Sequence, residues 1–351
     1  MAHTNRDVVK LLRAIDLGSS VAEQDGLLEN ARIDTSAFTD LIDDKVDLIP
    51  GSKGSGKTAL YRIIVDFMSE FMLAQKRIVV AHGVRHHGDQ VFQVFRDRFG
   101  KLSEEDFVSF WCVYFVSLAN EHFIKAPEFE SRLAQAKEQV DRFRSACRAA
   151  RIPSFEGQRT LREVLDWALD AVLVFLPKRV KISHTPSGTE AEVDLFGRAL
   201  EKPKSEHTPH TPLPIYVEQI KDHLEAVLEK CDLHLWLMID RLDEIFPRRS
   251  ALETKALRGL LRVLRIFDSP RIRIKIFLRD DILDQVVEKK GFTALTHVSA
   301  RRAKPLAWTE EQILCLLVRR LYAQKMIARQ FEVDPEQLAL VPYARAFFIR
   351  L

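Results

Sequence analysis

The segment from Gly51 to Thr58, which reads GSKGSGKT, constrains this chain more than any other stretch. Its spacing matches G-x-x-x-x-G-K-[ST], the phosphate-binding loop known as the Walker A motif. A short apolar run at 46–49 precedes the loop, and a helical apolar pattern follows from Leu60 to Phe71. The sequence therefore predicts a buried strand, a glycine-rich turn and a helix in immediate succession.

The residue types in this loop suit a nucleoside triphosphate with Mg²⁺. Glycines let the backbone wrap closely around a phosphate, and the helix that follows presents its positive end to the same anion. Lys57 is expected to reach the outer phosphates, and the Thr58 hydroxyl to ligate Mg²⁺. The predicted ligand is ATP, although these residues leave the choice between ATP and GTP open. The residues expected to hold it are Gly51, Ser52, Lys53, Gly54, Ser55, Gly56, Lys57, Thr58 and Ala59.

A dinucleotide-binding turn is the alternative for the same glycines. Gly54, Gly56 and Ala59 fit G-x-G-x-x-[GA], but that fold requires an acidic residue about 20 positions later to hold the ribose. The next predicted strand, 77–82, ends without one. The lysine and threonine at 57 and 58 would also be unexplained, so the phosphate loop is the better interpretation.

A second anchor is the run Leu233–Ile239, which is nearly all apolar and ends at Asp240. Such a run is typical of a strand buried on both faces of a parallel sheet, and ligands bind outside the carboxyl ends of these strands. An ordinary acidic turn would give the same local pattern, but its pairing with a phosphate loop favours a Walker B strand. Asp240 is then predicted to hold Mg²⁺. Asp243 and Glu244 are both candidates for polarising the attacking water, and the sequence does not choose between them.

A cation follows the next predicted strand, 271–278. Arg279 stands at its end, where it could sense a γ-phosphate or pair with Asp280 or Asp243. Both interpretations remain open from the sequence.

Composition excludes several classes of protein. The 351 residues carry 46% hydrophobic and 29% charged side chains with a net charge of +3, so nucleic-acid binding is not indicated and would need a local basic patch. The four cysteines lack a C-x-x-C spacing and are predicted to be buried thiols. His82, His86 and His87 favour a polar loop over a metal site. No signal region or membrane span is recognisable, and we expect a cytoplasmic protein.

The predicted fold class is α/β, with a parallel sheet flanked by helices. Apolar strands cluster in two windows, 41–100 and 231–308, which we assign to one nucleotide-binding core. Residues 1–40 form a helical segment before it, and 309–351 begin a C-terminal helical lid that is short for a complete one. The insert at 101–230 is mainly helical and includes a β-hairpin around 186–188. Ser103 with Asp106 predicts the start of one insert helix, and Thr309 with Gln312 the start of the lid helix.

Four further predictions concern packing. The aromatic stripe that begins at Phe107 is expected in the core, a second insert helix is predicted over 130–150, and an edge strand is predicted over 303–307. The row Arg258, Arg262 and Arg265 is interpreted first as a solvated helix face and second as a subunit or nucleic-acid contact.

These motifs resemble the bacterial P-loop ATPases related to the STAND and KAP classes, within the larger ASCE group. The resemblance spans about residues 15–330 and rests on the loop at 51–58, the run 239–244, the run 277–281 and the junction 306–309. It implies a sheet in which the Arg279 strand separates the Walker A and Walker B strands. It also implies Asp240 as metal ligand, Asp243 or Glu244 in hydrolysis, and Arg279 as a sensor. Such proteins act as regulated ATP switches in signalling or defence against phage.

Three functions follow as hypotheses. The first is an ATP-hydrolysing switch that couples nucleotide state to a protein partner or to self-association. The second is a nucleotide-binding scaffold with little hydrolysis, and the third is a DNA-dependent ATPase. Because phosphoryl transfer usually needs a cation from a mobile element or a neighbouring subunit, we expect slow turnover by the chain alone.

Overall fold

The structure is a computed structural model that describes residues 15–83, 102–123, 126–150, 152, 181–185, 188–192, 213–242, 250–288, 300–331 and 333–350. Asp243 and Glu244 lie outside these ranges, as do His86, His87 and residues 1–14 of the predicted N-terminal helical segment. The predictions that concern them therefore stay predictions.

The core of the protein is a four-stranded sheet in which all neighbours run parallel. The order is β1-β6-β5-β2, so β6 separates the strand before the loop from the strand before Asp240. The α/β class with a parallel sheet is thus confirmed. A separate antiparallel hairpin, β3-β4, lies in the insert. The strands are β1 (Leu48–Gly51), β2 (Ile78–His82), β3 (Lys181–Thr185), β4 (Gly188–Glu192), β5 (His234–Ile239) and β6 (Ile272–Arg279).

A further segment follows β1 on the side opposite β6. Parallel bridges join Leu48 to Arg302 and Gly51 to Leu306. The backbone N–H of Leu306 donates to the carbonyl of Pro50 at 2.9 Å. The predicted edge strand at 303–307 is therefore present only as two isolated bridges, which fasten the connector leading to the C-terminal helices beside the loop.

Helices cover the sheet on both sides, and several begin where capping chemistry predicted. Ser103 and Thr309 each form a full capping box, with Asp106 and Gln312 respectively. The helix predicted over 130–150 is wrong in one respect, because it breaks at Ala136 into two helices. The helices are α1 (Ser36–Ile42), α2 (Lys57–Arg62, continued as π-helix over Ile63–Leu73), α3 (Glu104–His122), α4 (Glu130–Gln135), α5 (Lys137–Ala149), α6 (Leu213–Cys231), α7 (Ala251–Ile266), α8 (Asp280–Glu288), α9 (Glu310–Tyr322), α10 (Lys325–Gln330) and α11 (Val341–Arg350).

Alternate residues of each strand enter different hydrophobic clusters. On β5, Leu235 and Leu237 pack with helices α3, α6 and α7, whereas Trp236 and Met238 pack with α1 and α2. A strand that faces apolar helices on both sides must be apolar throughout, which explains the unbroken run that predicted it. Burial on both faces holds the carboxyl edge of the sheet, and the residues that follow each strand, in one place.

The insert between β2 and β5 contains the largest buried aromatic group. Phe107, Phe110, Trp111 and Tyr114 of α3 are at most 1% exposed, which confirms that the aromatic stripe belongs to the core. Of the arginines on α7, Arg265 is exposed, as a solvated face predicts, but Arg262 pairs with Glu104 and Glu105 of α3 and Arg258 donates to the Val286 carbonyl of α8.

The four cysteines are buried free thiols, as predicted. Burial raises the pKa of Cys147 to about 12, so this thiol is unreactive at neutral pH. Among the described residues, no single helix is long and apolar enough to cross a membrane; only the bent pair α3 with 127–135 passes that test, when its two helices are counted together.

Candidate functional site

The loop between β1 and α2 is a tight turn that requires its glycines. Gly54 and Gly56 have φ of +82° and +94°, in the left-handed region that side chains with a Cβ avoid. A Cβ on Gly51 would collide with the Ser55 hydroxyl and lie 3.1 Å from Leu306 Cβ. Each glycine of the motif therefore has a local steric reason.

Lys57 lies across the mouth of this turn. Its ammonium group donates to the carbonyl oxygens of Gly51 at 2.7 Å and Ser52 at 2.8 Å. Gly56 is the N-cap of α2, so Lys57 and Thr58 are the first helical residues and the positive end of the helix faces the loop. The Ser55 hydroxyl oxygen is buried and has no hydrogen-bond partner among the described residues. The loop thus combines a cation, a helix start and an unsatisfied polar group, a combination suited to an anion.

Asp240 occupies the same edge of the sheet. It directly follows β5, and its Oδ2 atom is shielded from solvent. Leu48 of β1 and Ile239 of β5 both pair with Ile276 of the strand between them, which places Asp240 about 10 Å from the β1 backbone, across one intervening strand.

Thr58 and Asp240 are oxygen donors, the ligand type that Mg²⁺ prefers. In the part of the chain that the structure describes, no group of three or more His, Cys, Asp or Glu side chains could hold a metal. Two oxygen donors fit Mg²⁺, because this ion is usually held by one or two protein oxygens with phosphates and waters completing its shell.

Arg279 is next to the loop but is engaged elsewhere. It lies opposite Gly51 in the pairing of β6 with β1. Its guanidinium donates to both carboxylate oxygens of Asp281, at 2.9 and 2.7 Å. This hydrogen bonding holds the pKa of Asp281 below its usual value. The sequence suggested Asp280 or Asp243 as the partner, whereas the observed partner, Asp281, is the residue after Asp280.

Two other arginines, near the lid junction, also form ion pairs with carboxylates. Arg301 lies 2.6 Å from Asp47, and Arg302 lies 3.4 Å from Asp284. His82, at the end of β2, packs against His122 with ring centroids 4.6 Å apart and the rings tilted by 47°.

Trp308 is a site residue whose contact the sequence did not reveal. Its indole N–H donates to the Ser55 carbonyl at 3.0 Å, and its ring would lie 3.8 Å from a Cβ placed on Gly56. The only signal in the sequence was an aromatic residue at the junction between the connector and the lid helix.

A pocket of about 90 Å³ opens beside the loop under this tryptophan. It is bounded by the N-terminal segment, the start of α2, the connector and α9. Its walls are mostly apolar, with a few charged groups at the rim. The residues that line it include Leu28, Arg32, Phe38, Ala59, Trp308 and Arg320.

The N-terminal segment at 15–34 reaches both halves of the site. Glu23 forms an ion pair with Arg241, the residue after Asp240. Asp25 is 7% exposed and accepts a hydrogen bond at 2.5 Å from Arg320 of α9. This segment therefore connects the end of β5 with the C-terminal helices, a role that the sequence did not indicate.

Searches of family models, of curated proteins and of solved structures found no match to this chain.

Proposed function

We propose that this protein binds Mg²⁺-ATP at the loop Gly51–Thr58 and hydrolyses it slowly, as a nucleotide-dependent switch. The observation that carries the proposal is the placement of Lys57 and Thr58 across one strand from Asp240, at the carboxyl edge of a parallel sheet. Phosphate, metal and acid have candidates at one edge, which is the arrangement that phosphoryl transfer needs.

Each residue has a limited role in this proposal. The loop N–H groups and Lys57 would bind and orient the phosphates, and Thr58 with Asp240 would hold Mg²⁺. The bound ion would neutralise charge on the phosphate oxygens. Asp243 or Glu244 would orient the attacking water and accept its proton, a prediction that stays open between these neighbours.

A scaffold that binds ATP with little turnover is the second candidate. The ion pair between Arg279 and Asp281 favours it, because this carboxylate would compete with a γ-phosphate for the guanidinium. A partner or second copy that supplies an arginine could raise turnover by about 10³–10⁵. A role in signalling or phage defence, and a cytoplasmic location, follow from the resemblance and composition alone.

Binding is tested by isothermal titration calorimetry with Mg²⁺-ATP on the wild type and on Lys57→Ala. Removing this cation should lower affinity about tenfold to a hundredfold, because it deletes a charge-assisted contact with the phosphates. Lys255→Ala is the matched control: Lys255 is exposed on α7, away from the loop, and its removal changes the charge equally. Phosphate release measured in parallel separates a switch from a scaffold. Unchanged ATP affinity in a folded Lys57→Ala protein would refute the proposal.

A further inference from the structure

We propose that Trp308 is a positioning residue for the phosphate loop, which it holds through the peptide group between Ser55 and Gly56. The inference rests on the proposed function, because it concerns how the same loop binds phosphate. It adds a residue 250 positions away from the motif in sequence, on the connector to the lid.

Trp308 is itself firmly placed. Two residues before it, Leu306 is bridged to Gly51, and its N–H donates to the Pro50 carbonyl at 2.9 Å. One residue after it, Thr309 caps α9 through a capping box. The indole therefore extends from a backbone segment fixed at both ends, and its hydrogen bond to the Ser55 carbonyl at 3.0 Å has a defined direction.

The contact between Trp308 and the Ser55 carbonyl also affects the direction of the Gly56 N–H, because both groups belong to one peptide unit. In a planar trans peptide the C=O and the following N–H point in opposite directions. Because the Ser55 carbonyl points to Trp308, the Gly56 N–H points to the side of the peptide opposite the indole. Glycine has access to several conformations besides the φ of +94° that Gly56 adopts, so the hydrogen bond from Trp308 favours this one orientation of the peptide.

The same contact connects the loop with the C-terminal helices. A phosphate that binds the Gly56 N–H would stabilise the peptide orientation that Trp308 favours. A partner that displaces α9 and Trp308 would therefore weaken phosphate binding. By linkage, bound phosphate would weaken the binding of that partner by the same factor. Trp308 would thus make nucleotide affinity sensitive to the position of the lid.

The test uses tripolyphosphate, which has phosphates but no nucleoside, together with ATP. Trp308→Phe keeps a ring against Gly56 and deletes the N–H. Affinity for both ligands should fall by the same factor, about three- to tenfold, as expected for one lost hydrogen bond. Trp111→Phe is the matched control, because Trp111 also donates its indole N–H to a backbone carbonyl, that of Ala256 at 2.8 Å, but within the α3 core. It should lower the melting temperature and leave tripolyphosphate affinity unchanged.

The outcomes separate this inference from the proposed function. Wild-type protein that binds neither ligand refutes both. Wild-type binding with unchanged tripolyphosphate affinity in Trp308→Phe overturns the inference alone. A loss for ATP without a loss for tripolyphosphate also overturns it, since Trp308 would then act on the nucleoside.

A second measurement needs no variant. With ¹⁵N-glycine labelling of the wild type, the Gly56 amide proton should shift downfield when tripolyphosphate is added, because it becomes a donor to an anion. An unmoved Gly56 resonance under saturating ligand would overturn the inference.

Discussion

Polar and charged groups cluster both where the parallel strands of the central sheet begin, here called the amino edge, and where they end, the carboxyl edge. The two clusters differ in how their cations are paired. At the amino edge, Lys275 is fully buried and is surrounded by Asp44, Asp47 and the carbonyl of Val46. Its ammonium group also lies 4.6 Å from the centre of the Trp236 ring. Arg301 pairs with Asp47 from the connector. The cluster satisfies itself, with cations and carboxylates in contact.

The cation of the carboxyl edge has different partners. Lys57 is bonded to backbone carbonyls, and the glycines of its loop have positive φ. Glycine adopts this left-handed conformation without strain, whereas other residues do so only at a cost. Burial of charge by itself therefore does not mark a site. The candidate site is marked by a lysine bonded to the carbonyls of a glycine-rich turn at the carboxyl ends of the strands.

The largest effect expected from this comparison is on stability at the amino edge. Lys275→Ala should lower the free energy of unfolding by about 3 kcal/mol, because it leaves two carboxylates without their central cation. We expect the low end of the usual range, since the Asp44 side chain remains 36% exposed. Chemical denaturation measures the change. Lys45→Ala, which removes an exposed partner of Asp43, should produce no measurable change. If Lys275→Ala were as stable as the wild type, the amino edge would not be the structural cluster described above.

A smaller effect is expected at the glycine-rich loop. Gly56→Ala should cost about 1–2 kcal/mol, because alanine resists the left-handed conformation that this residue adopts. It should also weaken tripolyphosphate binding by turning the peptide. Gly26→Ala is the control, because a Cβ there meets nothing within 4 Å and its φ is not positive. That change should be neutral or stabilise by up to about 1 kcal/mol. Equal stabilities of the two variants, measured by thermal unfolding, would show that position 56 does not require glycine.

The smallest effect concerns the pKa of Asp281, which Arg279 holds below its usual value by hydrogen bonding. Because the folded pKa is lowered, this pair stabilises the protein above the ordinary carboxyl pKa, and the contribution is lost as pH falls through the lowered pKa. Carboxyl NMR titration should show the pKa rising toward its ordinary value in Arg279→Ala.

The same titration tests whether Arg279 senses the γ-phosphate. Mg²⁺-ATP should also raise the pKa of Asp281, because Arg279 would move from the carboxylate to the phosphate, whereas Mg²⁺-ADP should leave the pKa low. Identical titrations with the two nucleotides would mean that Arg279 is not a sensor.

Much of the local structure was predictable because its signals lie within a few residues. The loop at 51–58 requires glycines at fixed spacing, and capping boxes need only Ser103 with Asp106 or Thr309 with Gln312. The apolar run before Asp240 predicted a strand covered on both faces, and the clusters around β5 bear this out. The helix at 130–150 was predicted as continuous because its periodicity runs across Ala136, where the structure breaks.

Contacts between distant segments were decided only by the tertiary structure. The burial of Lys275 among Asp44 and Asp47 depends on β6 lying beside β1, and the contact of Trp308 with Ser55 depends on the connector bridging to Gly51. The sequence by itself determined the loop, the strands and the acid at the end of β5, because these follow from short-range sterics and apolar periodicity. Which distant groups come into contact depends on the strand order and on the path of the segments that connect the strands. The spacing of residues in the sequence does not reveal either of these.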